Sequence, residues 1–212
     1  MAYGSLAIDR ATPPHAKALI RVLESNYLSD VHTMLRLPDF DLDLVAGCNL
    51  AITQVLAAAV SGISVTLYDH TGGPGIRFKG LLEKYYPWSR EPGNAVTPQD
   101  GAKIIYSVIR NPLTHDLGLD LENKRRGQKI VLKRLTMGNA RKGLPEHFIA
   151  QLESPNRPRP MSPTVTVQSR KTTVLVEAFY WGVRQMVEHL SRDASRMQSA
   201  ETFLRSIRES TA

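Results

Sequence analysis

Arg110-Asn111-Pro112-Leu113-Thr114-His115 places a guanidinium and an imidazole five positions apart. Histidine exchanges a proton near neutral pH. The arginine guanidinium presents a rigid fork of donors that matches phosphate oxygens. Held side by side, the two groups are the minimum set for cleaving a phosphodiester by acid–base chemistry without a metal ion. Nothing else in the chain looks as much like chemistry.

Spacing alone is a weak signal, because Arg10/His15, Arg141/His147 and Arg184/His189 have similar separations. Context separates them. Arg10/His15 lies in a proline-rich N-terminal run, and Arg141/His147 in a segment carrying Gly143 and Pro145. Arg184 and His189 sit in one strong helical pattern, where a separation of five turns the side chains apart. Only Arg110/His115 straddles the end of an amphipathic helix.

The elements that must position the pair can be read from their residues. Thr97 is an N-cap, Pro98 suits the first helical position, and Asp100 puts negative charge in the first turn. Ala102, Ile105 and Ile109 share a face, with Ile104 and Val108 beside them. Pro112 disfavours helical geometry at Asn111 and removes a backbone donor. This predicts Arg110 at the helix end or at a kink, with His115 just beyond it. A structural alternative stays open: Arg110 capping the last carbonyls of the helix, and His115 packed beneath the bundle.

Charge points the same way as the motif. The 212 residues carry a net +7. Residues 1–102 hold 8 basic and 10 acidic side chains, and residues 172–212 hold 5 of each. Residues 103–171 hold 14 basic and 5 acidic, a net of +9. A local basic field favours a polyanion such as nucleic acid, although it also serves solubility alone. Candidate contacts are Lys124, Arg125, Arg126, Lys129, Lys133 and Arg134. The Lys124-Arg125-Arg126 run also reads as a solvated turn.

The single cysteine, Cys48, excludes an internal disulfide and a Cys-based zinc site, and it suggests a reducing compartment. The N-terminus lacks a basic segment followed by an apolar run, so no secretory signal is expected. From Val45 to Tyr68 there is no charged residue. That length would span a bilayer, yet Asn49, Thr53, Gln54, Ser61, Ser64 and Thr66 dilute it, and a buried core helix is the expected outcome.

The remaining pattern is helical at both ends. Leu19, Val22, Leu23, Asn26, Tyr27 and Val31 mark a first helix after Pro13-Pro14, fading near Pro38. A second is expected from Asp41 to Tyr68, and a third with Phe78, Leu81, Leu82 and Tyr85 facing inward. Lys129–Leu135 reads as a strand, with 148–152 as a possible partner and Thr164–Val167 as another short β-rich run. Leu175, Phe179, Gly182, Met186 and Leu190 then form a long helical seam, followed by Met197, Ala200, Leu204 and Ile207. His32, His70 and His189 read as structural, Asp116 as a cap or surface residue, and Trp88 and Trp181 as core or interface. The fold expected is mainly α: one domain over 1–212, a helical bundle, with a small basic β-rich insertion at 121–170 before the last long helix.

The string from Ile109 to Gly118 resembles the signature of the HEPN superfamily, in which an arginine, a polar residue and then a histidine stand at the end of a bundle helix. Arg110, Asn111 and His115 match that pattern. The resemblance covers the motif and its preceding helices, about residues 15–120, with the last helix. The β-rich insertion falls outside it. It implies a helical bundle that forms a homodimer, with the motifs of two protomers meeting in a cleft. Such proteins are often metal-independent endoribonucleases of toxin–antitoxin and antiviral defence systems, while other members bind or dimerise without catalysis. On this reading His115 takes the proton of the RNA 2′-OH, which DNA lacks, and its copy in a second protomer protonates the leaving 5′ oxygen. Arg110 stabilises charge on the phosphorane-like transition state. Asn111 orients His115 or binds the phosphate. No cofactor or metal is called for. The expected partners are RNA, a second copy and an antitoxin or regulatory protein, with no membrane, in the cytoplasm.

Overall fold

A buried helix, Val176–Ser191, organises the molecule, and 14 of its 16 residues are buried, among them Phe179, Trp181, Met186 and Leu190. A helix buried around its circumference is wrapped by other elements on all sides. The computed structural model describes residues 4–38, 48–69, 71–93, 96–111, 129–134, 144–154 and 162–211. Within these, the fold is mainly helical with a small three-stranded sheet.

In chain order the elements are α1 (Pro14–Leu23), a π-helical turn (Glu24–Leu28), α2 (Ser29–Leu35), α3 (Asn49–Ile63) with a second π turn (Ser64–Tyr68), and α4 (Pro74–Tyr85). A short 3-10 turn (Trp88–Arg90) leads to α5 (Pro98–Ile104), which continues as a third π turn (Ile105–Arg110). Then come β1 (Lys129–Lys133), α6 (Glu146–Glu153), β2 (Val165–Gln168), β3 (Lys171–Leu175), α7 (Val176–Ser191) and α8 (Ala194–Thr211). Helix α7 packs on α3, α4, α6 and α8.

The first helical run departs from the expected stripe. Val22 and Tyr27 are 49% and 40% exposed. The buried seam is instead Ala16, Ile20, Leu23, Leu28, Val31 and Leu35. A π turn carries an extra residue per hydrogen-bonded loop, so positions beyond Glu24 rotate away from a straight 3.6-residue pattern. Helix α4 turns Phe78, Leu81, Leu82 and Tyr85 inward, as its spacing requires. Of the expected Asp41–Tyr68 helix, residues 41–47 lie outside the described residues. Asn49–Tyr68 is long and apolar enough to cross a membrane, and half of its most apolar stretch is buried inside the protein. Ile52, Leu56, Val60 and Ile63 provide that buried side.

The sheet has the order β1-β3-β2, with β3 parallel to β1 and antiparallel to β2. Parallel neighbours need a crossover, and α6 lies within the one that joins them. Residues 148–152, expected as a strand, are therefore helix: Pro145 precedes α6, and Phe148, Ile149 and Leu152 bury one helical face. Strand β3, unexpected from the sequence, runs without a break into α7. The sheet accordingly passes the expected boundary at residue 170, and Leu144 N–H donates to the Leu35 carbonyl at 2.9 Å, tying this region to the bundle.

Candidate functional site

Thr97 caps α5 as its sequence suggests, its Oγ1 accepting from Asp100 N–H at 3.1 Å and donating to the Asp100 carboxylate at 2.8 Å. Ala102, Ile105 and Ile109 are fully buried and hold the helix against the bundle. Ser107 Oγ then donates to the Lys103 carbonyl at 2.6 Å. Such back-bonding by a helical serine competes with the backbone ladder, and here it coincides with the change to π geometry. Asn111 keeps helical dihedrals (φ −64, ψ −52), its N–H donating to the Tyr106 carbonyl. The expected departure from helical geometry at Asn111 is thus absent, and the irregularity falls one turn earlier. π-bulges of this kind are frequent at functional sites.

The π turn brings Arg110 over Tyr106. The guanidinium carbon lies 5.7 Å from the ring centroid, and Nη1 donates to Asn111 Oδ1 at 3.2 Å. Arg110 and Asn111 are both half-buried. Tyr106 in turn leans on Phe78, centroid to centroid 5.4 Å. The Lys79 ammonium stands 5.8 Å from the same ring. Gly75 makes room for this packing: a Cβ there would lie 2.6 Å from the Tyr106 hydroxyl. His115, Lys124, Arg125 and Arg126 lie outside the described residues.

The other predicted contacts divide. Lys129 and Lys133 are exposed at the two ends of β1. Arg134, one residue further, is 2% exposed and belongs to the interior. Its Nε donates to Asn49 Oδ1 at 2.7 Å, and its Nη1 to the carbonyls of Leu37 at 2.7 Å and Leu35 at 3.3 Å. Carbonyls at a helix C-terminus lack partners within the helix. Arg134 supplies them for α2, so it is no surface contact for nucleic acid. In its place the fold brings Lys171 opposite Lys129 in the parallel register, both exposed, with exposed Arg170 beside them, its carbonyl accepting from Lys129 N–H at 2.7 Å. Like charges set across a ladder repel. Both residues were inside the basic segment by composition. Only the unrecognised strand β3 pairs them with Lys129.

The remaining histidines that are described serve structure or surface. His15 Nδ1 pairs with Glu201 at 2.7 Å and His32 Nδ1 with Glu153 at 2.7 Å, while His147 and His189 are exposed. His70 lies outside the described residues. Arg184 is fully buried and bonds the Tyr180 hydroxyl and the Gly4 carbonyl, facing away from exposed His189. Trp88 and Trp181 are core residues.

One titratable group stands apart from the motif. Glu91 is buried, and burial pushes its carboxyl up to about 7, against the lowering effect of bonds from Thr164 and Tyr86. Thr164 N–H donates to Glu91 Oε2 at 3.1 Å and its hydroxyl to the same carboxyl. The cluster fastens the 3-10 turn to the start of β2. Among the described residues no group of three His, Cys, Asp or Glu side chains could hold a metal. No family model, no curated protein and no solved structure matches this chain.

Proposed function

We propose that this chain is a metal-independent endoribonuclease of the HEPN type, working as a homodimer in the cytoplasm and controlled by an antitoxin or regulatory protein. The observation that carries the reading is Arg110: half-buried at the end of a π turn, bonded by Asn111 and backed by Tyr106. A guanidinium fixed in this way is pre-organised to receive developing phosphate charge. The neutral imidazole of His115 takes the 2′-OH proton, the 2′ oxygen bonds to phosphorus, and the bond to the 5′ oxygen breaks. His115 of the second copy protonates that leaving oxygen. The products are a 2′,3′-cyclic phosphate and a 5′-OH.

An apolar groove between α1 and α3, lined by Leu19, Val22, Tyr27, Ala58 and Gly62, supports the dimer. Light scattering over a concentration series tests it. The nuclease reading is tested by incubating the protein with end-labelled single-stranded RNA in excess EDTA. Chelator-resistant cleavage giving cyclic phosphate ends is expected, and it is lost in Arg110→Ala and His115→Ala. Cleavage that persists in both variants removes the pair. The exposed Lys129, Arg170 and Lys171 favour a second reading, a non-catalytic nucleic-acid-binding module, which predicts salt-sensitive RNA binding without products.

A further inference from the structure

We infer that Lys79 of α4 and Lys103 of α5, set about Tyr106, form the subsite that grips phosphates of the RNA strand beside Arg110. This rests on the nuclease reading for its substrate, and on four observations for its geometry.

The first is convergence. Lys79 and Arg110 come from different elements, yet each stands within 6 Å of one ring centroid, at 5.8 and 5.7 Å. The second is spacing. Exposed Lys103, in the last turn of α5, stands three positions before Tyr106, and Tyr106 stands four before Arg110 within the π turn. The third is charge balance. Glu83, one turn beyond Lys79 on α4, forms no ion pair with it, and Asp100 is engaged with Thr97 at the start of α5. Neither Lys79 nor Lys103 has a carboxylate partner among the described residues. The fourth is accommodation. Gly75, Phe78 and Lys79 share the α4 face that receives the ring, and only a glycine at 75 leaves space for the hydroxyl end.

A ring quadrupole attracts cations without neutralising them. Tyr106 therefore collects positive charge, from Lys79 and Arg110, at one place. A backbone with one negative charge per nucleotide is the complement. The phosphates before the cleaved bond sit on Lys103 and Lys79, and the scissile phosphate on Arg110. Tyr106 is a positioning residue: it sets where the cations stand, through its ring and not its hydroxyl.

The test is binding of a single-stranded 2′-O-methyl RNA, which cannot be cleaved, by fluorescence anisotropy across a sodium chloride series. For a single strand each lost phosphate contact lowers the slope of log K against log salt by about 0.7. Lys79→Ala and Lys103→Ala are each expected to lose about that much slope and to weaken binding by about fivefold to tenfold at low salt. Lys84→Ala, on the far side of α4 and paired with Asp193, is expected to bind as the wild type does. Tyr106→Phe should retain affinity, whereas Tyr106→Ala and Gly75→Ala should lose it. Circular dichroism melting confirms that each variant is folded. A wild-type protein that does not bind this RNA overturns the inference, as do lysine variants with unchanged slope and affinity. Wild-type binding that depends on both lysines, without cleavage of ordinary RNA, upholds the subsite and removes the nuclease. Cleavage with unaltered binding in the lysine variants does the reverse.

Discussion

The Tyr86 hydroxyl occupies the space above Gly182 where any other residue would carry its Cβ: that atom would lie 2.0 Å from the oxygen and 2.1 Å from Cζ. The tyrosine cannot step aside. Its hydroxyl is hydrogen-bonded with Thr164 Oγ1 at 2.5 Å, and its ring lies 4.3 Å from that of Trp88 and 6.4 Å from that of Phe179. Overpacking a close-packed interior forces shifts in every neighbour. Gly182→Ala is expected to destabilise the protein by about 3 kcal/mol, read as a fall in the urea midpoint. A variant as stable as the wild type would show that α7 and Tyr86 are not so closely apposed.

Glu91 makes stability depend on pH. Its carboxyl titrates near 7 when folded, because burial disfavours the charged form, against an ordinary value of 4.5 when unfolded. Tyr86 and Thr164 face it, and Arg90 is turned toward Gln185 and the Trp181 ring. Between those two values the folded state holds more protons, so stability is greatest below 4.5 and falls as pH rises through 7. The loss is roughly 3 kcal/mol. Denaturation midpoints from pH 5 to 8 should decline, and Glu91→Gln should flatten that decline. Asp193, whose carboxyl is lowered first by the Tyr85 hydroxyl bond, acts in the opposite sense at acid pH. An unchanged slope in Glu91→Gln would assign the dependence elsewhere.

Arg134 is a structural cation by its partners. Arg134→Ala removes the donors to Asn49 Oδ1 and to the Leu37 carbonyl, and leaves the Leu35 carbonyl with Leu144 N–H alone. Unsatisfied buried acceptors cost about 1–3 kcal/mol each at most, so a clear drop in melting temperature is expected. RNA affinity, measured well below that temperature, should stay at the wild-type value. Lys129→Ala and Lys171→Ala should behave in the opposite way, with unchanged melting and weaker, less salt-dependent binding.

For the chemistry, Arg110→Ala and His115→Ala should each lower RNA cleavage by at least about a hundredfold, with melting temperatures near wild type. Arg110→Lys should recover little, since an ammonium cannot reproduce the guanidinium fork. Asn111→Ala should fall between, as its amide oxygen holds Arg110. Initial rates on a labelled oligonucleotide, with and without EDTA, check all four variants. Full loss of activity with EDTA and recovery with a divalent ion would place the reaction in another class.

Parts of this molecule were legible before its fold. The cap at Thr97, the buried face Ala102–Ile105–Ile109 and the inward residues of α4 follow from local rules, because each depends on neighbours within a few positions. Residues 148–152 were not legible: a five-residue apolar run fits strand or helix equally, and packing of Phe148, Ile149 and Leu152 against the core decides for helix. Strand β3 was hidden because no turn residue separates Leu175 from Val176, and its partner β1 lies some forty positions earlier. Arg134 sits in a basic run with Lys129 and Lys133, and composition could not mark it as the interior member.

The residues by themselves determined a mainly helical chain, a basic middle segment and a capped helix whose buried face leads to Arg110, since periodicity, capping and charge are local properties. The tertiary structure alone decided that Arg134 is sealed under α2, that Lys171 faces Lys129, and that Lys79 joins Arg110 at the Tyr106 ring. Those relationships join groups distant along the chain, and the close approach permitted by Gly75 and Gly182 has meaning only once the opposing side chain is in place.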